Sequence, residues 1–307
     1  MLTITRPLRK KTLEFPFTEI LLLLVALCWG TSYGLTQSAL LYSAVLPFIA
    51  VRFSMTTLCL LPVVIRDFRR GMNRDWKVSI PTGLVLSAIF FCEVFGVFYT
   101  SAAKAAFLIS LTVVLTAIAE AGINKQRVSR VLVMLTVCSV LGVLLLTGYQ
   151  GVSFSFNSGD YLILSAAILR ALMTTLTRQL TKGKIITTAT LTALQSGIVA
   201  LMAIVTSLLS MPVSALKLPT EPEFWLTVVY LVLCCTLFAF YVQNDALRKI
   251  SPTRVALLMG SEPLFGALFA IFWLQESLSW SQWLGGIMIL FSVIMTSVKG
   301  NQTSAQT

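Results

Sequence analysis

Five ionisable side chains interrupt long apolar stretches of the sequence, and they are the first candidates for chemistry. They are Arg52, Glu93, Glu120, Arg170 and Glu262. A charge among apolar residues is costly unless it is paired or hydrogen-bonded, so each of these residues needs a partner, a cavity or a ligand. The chain has no histidine, which excludes imidazole proton relays, histidine metal sites and Ser-His or Cys-His nucleophile pairs.

The cysteines do not indicate a reactive or metal-binding site. All six lie within apolar runs and have no metal-ligand spacing, so we interpret them as small buried hydrophobic residues. They are Cys28, Cys59, Cys92, Cys138, Cys234 and Cys235. We therefore expect no metal and no cofactor.

The composition indicates which elements hold the five charges. Hydrophobic residues make up 57% of the 307 residues and charged residues only 11%, whereas an average soluble domain has about 25% charged residues. So few charged side chains do not cover a water-soluble surface. The apolar residues come in runs of about twenty, the length of a helix that crosses a lipid bilayer. The sequence predicts an all-α integral membrane protein that spans the bilayer several times.

Ten apolar segments predict ten transmembrane helices. They cover residues 17–37, 45–65, 78–100, 103–124, 128–147, 159–179, 187–209, 224–244, 254–275 and 280–298. The first segment is too long for the apolar core of a signal peptide and has no clear cleavage site, so we expect it to be retained as a span.

The distribution of lysine and arginine predicts the orientation of these helices. All but four of the 23 Lys and Arg residues fall in the N-terminal tail, the even-numbered loops and the C-terminal tail. The exceptions are Lys104 and Lys217 on the opposite side, and Arg52 and Arg170 inside helices. Because positive residues accumulate on the cytoplasmic side, we expect both termini to be cytoplasmic. The net charge of +11 then reflects topology, and no nucleic-acid partner is expected.

A shift of 150 residues brings the two halves of the chain into register over the last part of each half. Residues 101–106 fall on residues 251–256, and residues 124–129 fall on residues 274–279. Each half holds five predicted helices, an odd number, so the second copy enters the membrane from the opposite side. Inverted repeats of this kind place a substrate site near the membrane midplane and rock about it by alternating access.

Six short motifs, in order along nearly the whole chain, resemble those of the EamA-type drug/metabolite transporters. They are Trp29-Gly30-Thr31-Ser32-Tyr33-Gly34, Pro47 with Arg52-Phe53, Tyr99-Thr100-Ser101-Ala102, Ser158-Gly159-Asp160, Glu262-Pro263 and Leu274-Gln275-Glu276-Ser277-Leu278-Ser279. The sequence departs from the family at one position, because the family usually has Trp-Ala where this chain has Arg170-Ala171.

The resemblance implies ten transmembrane helices arranged as two inverted five-helix repeats. It implies a carrier that moves small metabolites, amino acids or drugs across a plasma membrane, and the transport is often outward. In a bacterium this membrane is the inner membrane. The expected division is a cytoplasmic tail 1–16, a first EamA-like repeat 17–147, an external linker 148–158, a second repeat 159–298 and a cytoplasmic tail 299–307.

Depth along the helices sorts four of the five charges into two predicted pairs. Arg52 and Glu93 fall near the membrane midplane or in the outer half of the membrane. Arg170 and Glu262 fall at the midplane or slightly on its cytoplasmic side. Each pair either fixes helix packing or belongs to a transport site, and both interpretations stay open. In a transport site, Glu93 or Glu262 could take up and release a proton, which makes protons a candidate coupling ion. Glu120 is expected at the membrane edge, where a carboxylate needs no partner.

The candidate residues of the substrate pathway add aromatic and amide side chains to these charges. They are Trp29, Tyr33, Arg52, Glu93, Tyr99, Arg170, Gln243 and Glu262. The repeat places Gln243 opposite Glu93 and Arg170 opposite Trp29. An arginine at this depth needs an anion. We expect Glu262 to supply it in the empty carrier, with a substrate carboxylate competing for the same guanidinium.

A membrane-embedded enzyme acting on a lipid-linked substrate is the main alternative. Such an enzyme needs clustered Asp, His or Cys at the membrane edge, whereas the edges of this chain carry scattered basic residues. A channel would need rings of charge or carbonyl filters around an axis, which two inverted halves do not supply. The sequence favours a secondary transporter with a small-molecule substrate over an enzyme, and it indicates neither the substrate's identity nor an oligomeric state.

Overall fold

The computed structural model describes residues 17–100, 102–123, 128–146, 157–212, 218–274 and 279–303. All regular secondary structure within these ranges is helical. The α-helices are α1 (Phe17–Gly30), α2 (Ser32–Ala39), α3 (Val45–Arg69), α4 (Ser79–Tyr99), α5 (Ala102–Ser110), α6 (Thr112–Ile123), α7 (Arg130–Leu146), α8 (Ser158–Thr181), α9 (Thr188–Ser210), α10 (Pro222–Tyr230), α11 (Ala239–Lys249), α12 (Pro252–Met259), α13 (Glu262–Leu274) and α14 (Trp280–Thr303). A 3₁₀ turn (Trp76–Val78) precedes α4, and a π-helical segment (Leu231–Phe238) joins α10 to α11.

Seven helices in the described ranges are long and apolar enough to cross a membrane. They are Phe17–Ala39, Val45–Arg69, Trp76–Tyr99, Ala105–Ile123, Ser158–Thr181, Thr188–Ser210 and Pro222–Lys249. Each coincides with one predicted segment. The other three predicted segments contain α7, the interrupted pair α12 and α13, and α14. Helix α7 and the apolar part of α14 (Trp280–Thr296) are shorter apolar helices. The all-helical multi-pass architecture is confirmed, and the count of ten spans stays a prediction.

Local sequence determines where several helices begin. The Asn157 side chain accepts a hydrogen bond from the Asp160 N–H, and the Asp160 carboxylate accepts one from the Asn157 N–H. Ser251 caps α12 by accepting from the Arg254 N–H, and Pro252 follows it in the first turn. These residues satisfy N–H groups that the start of a helix leaves free, and proline has no N–H to leave unsatisfied.

Helices at matching positions of the two halves pack against each other. Helix α3 packs along α9, and α7 packs along α14. Helix α6 of the first half lies against α8, the first helix of the second half. Correspondingly, α12 and α13 of the second half lie against α1, the first helix of the first half. Two repeats related by a pseudo-two-fold axis make corresponding contacts of this kind. The contacts therefore fit the two-repeat architecture. The predicted boundaries of the tails and the linker fall largely outside the described residues and stay predictions.

Aromatic rings join the helices around the middle of the molecule. The ring of Phe53 meets the ring of Phe90 edge to face at 4.4 Å between centroids. Phe90 lies 5.8 Å from Phe240, and Phe240 lies 5.6 Å from Trp29. Such tilted and edge-to-face contacts are favourable aromatic geometries. The cluster holds α1, α3, α4 and α11 together beside the charged residues described next.

Candidate functional site

Two helices are interrupted at matching positions of the two halves. Helix α5 ends at Ser110 and α6 begins at Thr112, while α12 ends at Met259 and α13 begins at Glu262. A shift of 150 residues superimposes the start of α6 on the start of α13. Interruptions at corresponding positions of inverted repeats indicate the binding site of a transporter, because they turn free backbone groups toward a cavity. Pro263 follows the second interruption, where its missing N–H leaves no hydrogen bond unmade.

A cavity with about 440 Å³ of empty space lies between the two interruptions. Ser110 and Thr112 line it from one side, and Gly260 and Glu262 line it from the other. Gln243 of α11 completes its polar wall, and we call this space the Gln243 cavity.

A second cavity, with about 370 Å³ of empty space, is lined by Tyr33, Arg52 and Glu93. We call it the Arg52 cavity. Trp29 and Arg170 line both cavities, so these two side chains form the partition between them. The sequence repeat places the same two residues opposite each other, and in the fold they are in contact.

Trp29 and Arg170 are held in place by directed contacts. The indole N–H of Trp29 donates to the carbonyl oxygen of Cys235 at 2.8 Å. The Arg170 guanidinium carbon lies 4.7 Å from the centroid of the Trp29 ring, within the range of a cation–π contact. The arginine that takes the place of a family tryptophan therefore stacks on the tryptophan of the other half.

Arg170 also contacts both carboxylates of the site. One terminal nitrogen donates to Glu93 Oε2 at 2.7 Å, and the other lies 3.7 Å from Glu262 Oε1. We expected the two pairs Arg52–Glu93 and Arg170–Glu262. The second contact is present but longer, and the shorter contact joins Arg170 to Glu93. Helix rotation decides this result, because α4 and α8 pack closely together and turn Glu93 toward Arg170.

Arg52 has a different partner from the one the sequence predicted. Within the described residues it makes no ion pair, and its Nε donates to the hydroxyl of Thr236 at 2.7 Å. The Thr236 hydroxyl in turn donates to the carbonyl oxygen of Leu231 at 2.8 Å, five residues back. The guanidinium of Arg52 also lies 5.3 Å from the centroid of the Phe90 ring. The π-helical segment thus provides contacts to both Trp29 and Arg52, and π-helical turns are frequent at functional sites.

Three buried polar atoms at the cavities have no hydrogen-bond partner among the described residues. They are Tyr33 Oη, Gln243 Oε1 and Glu262 Oε2. Tyr33 lines the Arg52 cavity, and Gln243 and Glu262 line the Gln243 cavity. A buried polar atom without a partner costs free energy, so these atoms are positions at which a ligand can bind.

Tyr99 is the one predicted pathway residue that lines neither cavity. It is the last residue of α4, and its side chain is 53% exposed. Its ring packs edge to face on Phe98, with 5.1 Å between the centroids. The helix therefore turns Tyr99 away from the charged partition, and the structure gives no support for a role in the pathway.

Sequence reasoning missed two carboxylates that hold the start of α12. Glu120 is buried, contrary to expectation, and accepts hydrogen bonds from the N–H of Thr253 at 2.9 Å and from its hydroxyl at 2.5 Å. Glu19 of α1 pairs with Arg254 at 2.5 Å. Position near a helix end suggested that Glu120 needed no partner, and only the packing of α6 against α12 reveals its function as a cap.

The arrangement is suited to binding rather than to bond cleavage. Two arginines and two carboxylates surround the partition between the cavities, and all are buried except Arg170, which is partly buried. In the part of the chain that the structure describes, no group of three or more acidic or sulfur side chains is placed to hold a metal ion. A neutral cluster of opposite charges can bind the polar ends of a small molecule by exchanging its own partners for the ligand.

Membrane-spanning helices around an internal charged cavity define a multi-pass membrane transporter. The chain belongs to the EamA-like transporter family, whose model matches residues 16–148 and 157–298. The resemblance noted from the motifs is thereby confirmed. Family membership indicates a transporter and not an enzyme, with the lipid bilayer as its surroundings and a small molecule as its substrate.

Curated relatives carry only general names. One from Archaeoglobus fulgidus, called an uncharacterized transporter, is 27% identical over 287 residues, which is 92% of this chain and 86% of that protein. The uncharacterized transporter YcxC of Bacillus subtilis is 25% identical and covers 88% of this chain and 89% of its own length. A solved crystal structure superimposes with a TM-score of 0.74 over 90% of this chain and 95% of its own, at 17% identity. That likeness supports the fold alone.

Proposed function

We propose that the chain is a secondary transporter of small metabolites, namely amino acids or related compounds, acting as an exporter or exchanger by alternating access. The observation that carries this proposal is the partition formed by Trp29 and Arg170 between two cavities. A site reached from either side of such a partition suits a carrier that opens to one face of the membrane at a time.

Arg170 is the residue that recognises a substrate carboxylate. Its contact with Glu262 is 3.7 Å long, whereas its contact with Glu93 is 2.7 Å long. A carboxylate of the substrate displaces the weaker partner and binds the guanidinium through two parallel hydrogen bonds, which is the arrangement that an arginine fork favours. The stack on Trp29 keeps the guanidinium plane oriented while the partner changes.

Protons are the proposed coupling ion. Glu93 and Glu262 are the two carboxylates that contact Arg170, and protonation of either one weakens its hold on the guanidinium. Proton uptake and substrate binding are then linked through one side chain. Glu93 lines the Arg52 cavity and Glu262 the Gln243 cavity, so the two candidates belong to different sides of the partition.

The proposed setting is the plasma membrane, the inner membrane of a bacterium, with both termini cytoplasmic. The excess of Lys and Arg in the N-terminal tail and the even-numbered loops supports this orientation. Some of the arginines on that side bind the chain itself. Arg178, for example, donates to the carbonyl oxygens of Leu247 and Ile250 at 2.8 and 2.6 Å.

Export of a panel of radiolabelled amino acids and toxic analogues tests the proposal. Cells with and without the protein are loaded with each compound, and the loss of label is followed with time. We expect faster loss of at least one carboxylate-bearing compound when the protein is present. Equal rates for every compound, with the protein verified in the membrane fraction, would reject amino acids as the substrate class.

A further inference from the structure

The Gln243 cavity has a chemical character of its own. Both helix interruptions line it, and Ala106, Ile109, Val113 and Met259 give it an apolar wall. Apolar pockets with a few convergent polar groups are typical of sites for small organic molecules. The polar groups of this cavity therefore indicate which end of a ligand it binds.

Two side chains of this cavity, Glu262 and Gln243, each have a buried acceptor atom with free hydrogen-bonding capacity. Glu262 is 6% exposed and Gln243 is 7% exposed. Glu262 Oε1 lies toward Arg170, whereas Glu262 Oε2 and Gln243 Oε1 have no hydrogen-bond partner among the described residues. Two buried acceptors, one of them charged, require a hydrogen-bond donor, and a ligand carboxylate at this point would be repelled.

We propose that Glu262 and Gln243 form a subsite for the protonated amino group of the substrate. An ammonium group has three N–H donors and a positive charge, and no acceptor. Glu262 Oε2 supplies the opposite charge and Gln243 Oε1 a second acceptor. This inference rests on the proposed transport function and adds the second recognition element of the substrate.

Charge balance supports a substrate that carries both charges. The partition has two cations, Arg52 and Arg170, and two carboxylates, Glu93 and Glu262. A zwitterion leaves this balance unchanged, whereas a simple anion or a simple cation adds a net charge to a buried cluster. Arg170 and Glu262 are 3.7 Å apart at their nearest atoms, so the carboxylate and the ammonium must also be neighbours in the substrate, as they are in an α-amino acid.

The sequence repeat explains how the second acceptor arises. Gln243 corresponds to Glu93 in the other half. Glu93 uses its charge on Arg170, while Gln243 retains an acceptor without a charge and faces a cavity. Glu93 of the first half thus binds the arginine, and Gln243 of the second half provides the uncharged part of the ammonium subsite.

Direct binding of three related compounds tests the subsite. The probes are leucine, 3-methylbutylamine, which lacks the carboxylate, and 4-methylpentanoate, which lacks the amino group. Each is titrated by calorimetry into the purified full-length protein in lipid nanodiscs. We expect leucine to bind most tightly and the amine to bind more weakly, because it leaves Arg170 without a carboxylate. We expect 4-methylpentanoate to bind at least tenfold more weakly than leucine, because it cannot donate to Glu262 and Gln243.

Three variants locate the binding. Glu262→Gln should weaken leucine and the amine by roughly 10- to 100-fold, the loss typical of a charged hydrogen bond, and Gln243→Leu by about fivefold. Neither change should weaken 4-methylpentanoate. Glu120→Gln is the matched control, because Glu120 is a buried carboxylate that caps α12 away from the cavity, and it should bind all probes as the unmodified protein does. Thermal unfolding of each variant verifies that it is folded.

Several results would overturn the subsite and leave the transport proposal standing. The first such result is that 4-methylpentanoate binds as tightly as leucine and the amine does not bind. Another is amine binding that Glu262→Gln and Gln243→Leu, both folded, leave unchanged. Failure of leucine and the amine to bind at all also rejects it. Export of the amino-acid panel is measured separately, so failure of that flux identifies failure of the transport proposal itself.

Discussion

Arg170 is the side chain that connects the two halves of the molecule at the candidate site. It stacks on Trp29, binds Glu93 and approaches Glu262, so one side chain contacts both halves of the molecule. An unpaired arginine in this position would cost several kcal/mol. The site therefore needs an anion on Arg170 in every state, and exchange of that anion is the simplest way to couple binding to movement.

Replacement of Glu93 tests the coupling. Glu93→Gln keeps an oxygen that can accept from Arg170 but removes the group that takes up a proton. In proteoliposomes we expect substrate flux driven by a pH gradient to fall to background, while exchange of labelled for unlabelled substrate continues near the unmodified rate. Glu120→Gln, a buried carboxylate at α12, serves as the control and should leave both fluxes intact. Loss of folded protein without a selective effect on pH-driven flux would assign Glu93 a structural role.

Asp75 gives a pH dependence of stability outside the membrane-spanning segments. Its carboxylate accepts the Ile185 N–H at 2.9 Å and lies 3.5 Å from the Lys184 ammonium. The hydrogen bond from Ile185 and the charge of Lys184 lower the pKa of Asp75 below its usual value. Because the folded pKa is the lower one, this contact stabilises the fold above the unfolded value of about 4, and the contribution is lost as pH falls through the folded pKa.

Asp75→Asn should accordingly lower the thermal unfolding temperature at neutral pH. The difference from the unmodified protein should shrink below about pH 4, where the carboxylate becomes protonated. Asp245→Asn is the control, since Asp245 forms only an exposed ion pair with Lys249 one helical turn away. Unfolding curves at a series of pH values check this, and a difference that persists unchanged at low pH would contradict the assignment.

At the scale of helices, close approach between α1 and α13 positions Glu262. A Cβ on Gly30 would lie 2.8 Å from the carbonyl oxygen of Glu262 and 2.9 Å from the Gly266 nitrogen. Gly34, one turn further on, has nothing within 4 Å of its Cβ position. The helices can therefore cross at Gly30 only without a side chain, whereas Gly34 is free to accept one.

Alanine at these two glycines gives opposite results. Gly30→Ala should destabilise the protein by about 1–3 kcal/mol through overpacking and reduce transport by displacing Glu262. Gly34→Ala should leave transport unchanged and stabilise the helix by about 0.5–1 kcal/mol, the usual gain over glycine. Thermal unfolding and flux of the two variants in the same lipid decide the matter. Equal stability of both variants would show that α13 shifts freely away from α1.

The helices could be predicted from the sequence far better than their mutual rotation. Runs of about twenty apolar residues locate the seven long helices, and depth brings Arg170 near Glu262. The preference of Arg170 for Glu93 and the binding of Arg52 to Thr236 could not be predicted. Helices that are apolar on every face show no periodicity that fixes which side meets a neighbour, so partner choice depends on packing. The cap made by Glu120 and the ion pair between Glu19 and Arg254 were missed for the same reason.

At the scale of the whole molecule, the account depends on an inverted topology. Reporter fusions after Lys299 should read cytoplasmic, and fusions within residues 148–158 should read external. The excess of positive residues in alternate loops predicts both results. A C-terminal reporter on the outside would mean an odd number of spans. The corresponding contacts of α6 with α8 and of α13 with α1 would then need another explanation.

The central claim is that Arg170 binds the carboxylate of the transported molecule. Flux of a carboxylate-bearing substrate through Arg170→Lys in proteoliposomes tests it most directly, because lysine keeps the charge but loses the planar fork. Arg178→Lys on the same helix is the control, since Arg178 binds only backbone carbonyls of α11 and its end. We expect the Arg170→Lys protein to fold and insert normally, with flux at least tenfold lower, and we expect Arg178→Lys to show near-normal flux. Unchanged flux through Arg170→Lys would contradict it and leave Arg170 as a residue that only holds helices together.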